Sequence, residues 1–164
     1  MLHPATACLP TNIITMVHIK TENLAPATAC YCLQVTILFA DIVGFTSMSK
    51  EVDPAEVMHF LNTLYSRYDQ LLDEWGVYKV ETVGDCYVVA GGLIELDEDG
   101  FGCVVHADTG AHAQKVFGFA KAMVAEAQQV LMPHNQQPVL LRVGLHSGPI
   151  VSGIVGTRMP KFCL

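Results

Sequence analysis

The sequence predicts an α+β domain on the ferredoxin-like split βαβ plan: strand, helix, hairpin, helix, strand, strand. Its sheet would be antiparallel, with both helices on one face. Three observations lead there. A short apolar, β-rich run precedes a long segment with helical apolar spacing; two β-rich runs flank the dipeptide Gly84-Asp85; and a second helical segment precedes further β-rich runs.

The first strand is Val35-Thr36-Ile37-Leu38-Phe39-Ala40, a buried run. Asp41-Ile42-Val43-Gly44-Phe45-Thr46 follows, and its glycine lets the backbone turn closely. Asp53-Pro54-Ala55-Glu56 then reads as a helix start, with a capping Asp, a Pro in the first turn and a Glu three residues after the cap. Val57, Phe60, Leu61, Leu64, Tyr65, Tyr68, Leu71, Leu72 and Trp75 recur at helical steps up to Gly76, where the helix stops.

Residues 77–83 and 86–90 read as strands joined by the two-residue turn Gly84-Asp85. The acidic, glycine-bearing stretch 95–102 reads as a surface loop, and a second helix is expected over 109–131, stopped by Pro133. Its apolar stripe would be Ala113, Val116, Phe117, Ala120, Val124 and Ala127. Residues 139–146 and 150–155 are expected as two strands joined by a turn at Ser147-Gly148-Pro149, and Phe162-Cys163-Leu164 as the start of another.

Residues 1–33 differ from the rest. Pro-Ala-Thr-Ala-Cys occurs twice, at 4–8 and 26–30, with no helical or strand period between. They read as a poorly ordered leader, leaving 34–164 as one domain.

The 164 residues carry 9 Lys+Arg and 16 Asp+Glu, a net charge of −7, with 51% hydrophobic residues. That composition excludes a disordered chain and argues against a nucleic-acid-binding surface. No apolar run reaches the 18 or so residues of a membrane-spanning helix, and the opening lacks a secretory signal pattern. The six cysteines form no CxxC pair and read as reduced intracellular thiols. His3, Cys8, His18, Cys30 and Cys32 fit no established zinc spacing well.

The chemistry centres on two acids. Asp41 closes one apolar strand and Asp85 sits at a hairpin tip, and in this topology the first strand neighbours the hairpin. Paired carboxylates repel unless a cation lies between them. Divalent ions suit such a pair, because Mg²⁺ binds through one or two carboxylates plus substrate phosphates. The turn after Asp41 adds backbone N–H groups that can cradle phosphate.

Four stretches then resemble one family. Phe39-Ala40-Asp41-Ile42-Val43-Gly44-Phe45-Thr46, Val80-Glu81-Thr82-Val83-Gly84-Asp85-Cys86-Tyr87, Arg142-Val143-Gly144-Leu145-His146-Ser147-Gly148 and Met159-Pro160-Lys161-Phe162-Cys163-Leu164 are similar to the class III nucleotidyl cyclase catalytic domain, guanylate cyclase branch. The resemblance implies a cytoplasmic signalling enzyme, either free or on the cytoplasmic face of a membrane. It would convert GTP to cyclic GMP and pyrophosphate by in-line attack of the ribose 3′-hydroxyl on the α-phosphate.

It also implies two Mg²⁺ or Mn²⁺ ions per site, held by Asp41, Asp85 and the backbone carbonyl of Ile42, with Gly44, Phe45 and Thr46 on the phosphates. Glu81 and Cys163 match the family's guanine-selecting pair: a carboxylate accepts from guanine N1–H and the 2-amino group, and a thiol donates weakly to O6. The site would form between two cyclase domains in a homodimer or heterodimer. His146 reads as a strand-end residue packing a turn, and Cys86 carries no assigned role. The family's transition-state Asn and Arg follow the Cys-Leu match and have no counterpart up to Leu164, so the chain is expected to be a fragment with impaired activity alone. The alternative is a non-catalytic cyclase-homology domain that dimerises with a complete subunit and regulates it.

Overall fold

The computed structural model describes residues 29–96, 102–104, 111–155 and 161–164 of the chain. Its elements in order are β1 (Ala29–Ile42), α1 (Phe45–Glu51), α2 (Pro54–Trp75), β2 (Tyr78–Val83), β3 (Cys86–Gly91), β4 (Ile94–Leu96), β5 (Gly102–Val104), α3 (His112–Ala127), β6 (Leu141–Val155) and β7 (Lys161–Cys163). Five strands form one antiparallel sheet in the order β2-β3-β1-β6-β7, and β4 and β5 form a separate two-stranded hairpin. Strands β2-β3-β1-β6 with α2 and α3 are the expected ferredoxin-like plan.

Strand alternation splits β1 between two cores. Leu38, Ala40 and Ile42 pack with Phe60, Leu64 and Tyr68 of α2 and Phe119 and Met123 of α3, so both helices cover one face. Val35 and Ile37 join Val88, Ala90, Leu93 and Ile150 in a smaller cluster. The boundaries of α2 follow the sequence signals. Asp53 accepts a hydrogen bond from the Ala55 amide at 2.9 Å, and Gly76 closes the helix at φ 58°.

Several expectations need correction. The strand β1 starts at Ala29, inside the stretch read as leader, and Ala29, Cys30, Tyr31 and Cys32 pair with Gly153, Ser152, Val151 and Ile150. Residues 1–28, with the first pentapeptide copy and His3, Cys8 and His18, lie outside the described residues. No turn interrupts β6 at Ser147-Gly148-Pro149. Instead Gly148 pairs with Val35 and Ile150 with Cys32, so Leu33 and Gln34 oppose Pro149 alone in a β-bulge. Proline cannot donate to a ladder, and a bulge accommodates it.

The stretch read as a loop is bounded by β4 and β5, with 97–101 outside the described residues. The second helix ends at Ala127 rather than at 131, because Gln129 and Val130 donate to Glu126 and Ala127 in tighter i→i+3 turns. Its buried stripe runs through His112, Val116, Phe119, Ala120, Met123 and Ala127; Ala113 is exposed. No described helix is long and apolar enough to cross a membrane.

Candidate active site

The local sequence builds the aspartate pair. Hydrophobic β1 carries Asp41 to its penultimate position, and Gly84, at φ 61°, supplies the left-handed residue that a two-residue turn needs before Asp85. Ala40 pairs with Tyr87, so the hairpin tip lies beside the end of β1.

The two carboxyl groups meet. Asp85 shares a side-chain hydrogen bond with Asp41 and accepts from its own amide and that of Ile42. Burial pushes the Asp85 carboxyl upward, reinforced by the hydrogen bond and charge of Asp41, while the two amides pull it down. Asp41 also faces its cross-strand partner Arg142, whose Nη2 lies 2.9 Å from Asp41 Oδ2. Their side chains are 39% and 55% exposed, so water screens this pair and it holds Asp41 weakly. Burial and the negative charges of Asp41 and Asp85 push the Cys86 thiol upward, keeping it protonated beside them.

Beyond Ile42 the chain turns through Gly44, at φ 80°, into α1, with Phe45 and Thr46 in its first turn. The Val43 amide donates to Leu140 O at 2.9 Å, which ties this turn to the start of β6. Glu81 lies in β2, half-buried, immediately after a bulge: Lys79 pairs with Val89 and Glu81 with Val88, leaving Val80 unpaired. Bulges re-aim the side chains beside them. Cys163, half-buried in β7, pairs with Gly153. Glu81 and Cys163 thus stand on the two edge strands, and Asp41 and Asp85 come together near the middle of the sheet.

Two carboxyls in contact, one of them pushed upward by burial and then by its neighbour, fit a divalent cation that would relieve the repulsion between their ionised forms. Among the described residues no cluster of three or more His, Cys, Asp or Glu side chains surrounds them, so the remaining ligands would be backbone oxygens, water or phosphate. Sequence reasoning missed Arg142, α1 and the bulge before Glu81. Arg142 depends on the β1–β6 register, which no local pattern reveals; only the glycine after Asp41 hinted at a turn into α1.

This is an antiparallel α+β domain with paired acids at one end of its central strands. Residues 30–164 match the model of the adenylate and guanylate cyclase catalytic domain, and the chain belongs to that family. It is 43% identical over 131 residues to guanylate cyclase soluble subunit alpha-1 of Rattus norvegicus, covering 80% of this chain and 17% of that protein. The chain therefore spans under a fifth of this relative's length.

Among solved structures, it resembles the guanylate cyclase domain of RhGC from Catenaria anguillulae in complex with GTP. That match has a TM-score of 0.68 and 31% identity, covering 82% of this chain and 66% of that one. It also resembles the non-canonical dimeric guanylyl cyclase domain of the RhoGC fusion protein from Blastocladiella emersonii. There the TM-score is 0.65 at 32% identity, covering 83% of this chain and 68% of that one.

Proposed function

We propose that this domain contributes to a guanylate cyclase site that converts GTP to cyclic GMP and pyrophosphate in intracellular signalling. The observation that carries the reading is the contact between Asp41 and Asp85, two carboxyls brought together from neighbouring strands in a member of the cyclase family. These two side chains and the Ile42 carbonyl would hold two Mg²⁺ or Mn²⁺ ions. Bound there, the ions supply Lewis acidity toward the ribose 3′-hydroxyl and the phosphates.

The chain's own residues orient the substrate. The turn at Gly44, Phe45 and Thr46 offers backbone N–H groups to the phosphates beside the aspartates. Glu81 accepts from the N1–H and 2-amino group of guanine and the Cys163 thiol donates to O6, a pattern that adenine does not complete. In a homodimer or heterodimer of cyclase domains, one subunit would present Asp41 and Asp85 and the other Glu81 and Cys163.

The test assays the purified chain with Mn²⁺ and either GTP or ATP, alone and mixed with a second guanylate cyclase domain. Cyclic GMP is expected from GTP in the mixed sample. Asp41→Ala should lower that activity by about 10²-fold or more. Full activity in Asp41→Ala, or no cyclic GMP from either sample, overturns the reading.

A further inference from the structure

The hairpin turn that carries Asp85 is open on its Gly84 side, where an added Cβ would meet no atom within 4 Å, whereas Asp85 itself is half-buried. One hydroxyl reaches it: Tyr65, on α2, donates to the Gly84 carbonyl at 3.3 Å.

The Tyr65 ring is itself held in place. Its centroid lies 6.2 Å from that of Tyr68 and 5.3 Å from that of Tyr87. Tyr87 in turn donates to Asp69 at 2.5 Å, and the Lys79 ammonium lies 2.7 Å from the same carboxylate and 4.9 Å from the Tyr87 ring centroid. Two α2 residues, Tyr65 and Asp69, thereby grip both strands of the hairpin and its tip. Burial and the charges of Asp85, Cys86 and Asp41 push the Tyr65 hydroxyl well above its ordinary pKa, so it remains a donor. Tyr68 sits in the same cluster, but its buried hydroxyl has no hydrogen-bond partner among the described residues.

We infer that Tyr65 is a positioning residue for the reaction: its hydroxyl clamps the Gly84 carbonyl and fixes the turn that aims Asp85 at Asp41. The inference rests on the reading of these two aspartates as metal ligands. A divalent ion demands a defined oxygen geometry, and a ligand on an unanchored turn must be ordered when the ion binds.

The test compares Tyr65→Phe, Tyr68→Phe and Asp85→Ala in the 164-residue chain. Free Mn²⁺ is followed by electron paramagnetic resonance during titration with Mn²⁺ alone, and hydrogen exchange is read at residues 84–86 without metal. Tyr65→Phe is expected to weaken Mn²⁺ binding roughly fivefold, the worth of one hydrogen bond. It should also speed exchange at the turn while protection in β1 persists. Tyr68→Phe should change neither.

Unchanged Mn²⁺ affinity and turn exchange in Tyr65→Phe would overturn the inference. So would an even loss of protection across β1 and β3, which would mark a merely structural role. If Asp85→Ala binds Mn²⁺ as well as the unsubstituted chain, the metal reading fails instead, and turn exchange in Tyr65→Phe still decides whether the clamp exists.

Discussion

At its C-terminal end β1 delivers Asp41 to a hairpin tip, where its carboxyl shares a hydrogen bond with that of Asp85 and pairs with the solvent-screened Arg142. At its N-terminal end the same strand runs through a bulge into a ladder of Ala29, Cys30, Tyr31 and Cys32 against the far half of β6. The first end concentrates like charge, and the second pairs backbone groups without any. A strand can be stable along most of its length and unfavourable where it does chemistry, since functional sites tolerate local cost that the rest of the fold offsets. Substitutions at the Asp41 end should therefore act on activity more than on stability, and those along the ladder the reverse.

The largest expected effect is at Asp85. In the unfolded chain its carboxyl titrates at the ordinary value of 3.8, and folding raises it. Its favourable contribution is complete below 3.8 and is lost as pH rises through the higher folded value, so at neutral pH the ionised group opposes folding. Asp85→Asn should reduce cyclase activity by about 10²-fold or more. In a chelator it should melt higher than the unsubstituted protein at neutral pH, with the gap closing on acidification. Thermal melts across that range check both signs. A variant that melts lower throughout would show that Asp85 supports the fold, and the contrast between the two ends would be lost.

Much of the Asp41 end was legible because its devices are local. An apolar run ending in Asp41 and a Gly-Asp pair between β-rich runs are visible within a few residues, and the capped start and glycine stop of α2 are equally so. The Ala29 end was not legible. Its partner, Gly153, is remote in the chain, and Ser147-Gly148-Pro149 carries turn composition while sitting inside a strand. Local preference was overridden by pairing with β1, which took up the proline in a bulge. Half of the α3 stripe was legible: Val116, Ala120 and Ala127 are buried as expected, but Phe119 and Met123 are buried in place of Phe117 and Val124. Gly118 is buried with them, where the Trp75 ring crosses.

That crossing gives the next prediction. A Cβ on Gly118 would lie 2.0 Å from the Trp75 ring, a clash that either helix must move to relieve. Both ends of β1 belong to a sheet covered by this helix pair, so Gly118→Ala should not discriminate between them. It should destabilise by about 1–3 kcal/mol, the usual cost of overpacking, read from denaturant midpoints. Hydrogen exchange should rise at both ends together. Loosening confined to the Asp41 end would mean that the helix layer supports only the site.

The smallest effect is expected midway along β1. The Thr36 hydroxyl lies 2.8 Å from that of its cross-strand partner Ser147. Thr36 is 4% exposed, whereas Ser147 lies at the surface. Thr36→Val removes the buried hydroxyl and keeps its branched shape, and Ser147 can return its hydrogen bond to water. The cost should therefore fall near the low end of a single hydrogen bond, about 0.5 kcal/mol. Residue 36 is separated from Asp41 by well-packed strand, so Mn²⁺ affinity should not change. If it falls while the denaturant midpoint barely moves, the ladder and the aspartate pair are mechanically coupled through β1, and the strand cannot be divided into a stable half and a working half.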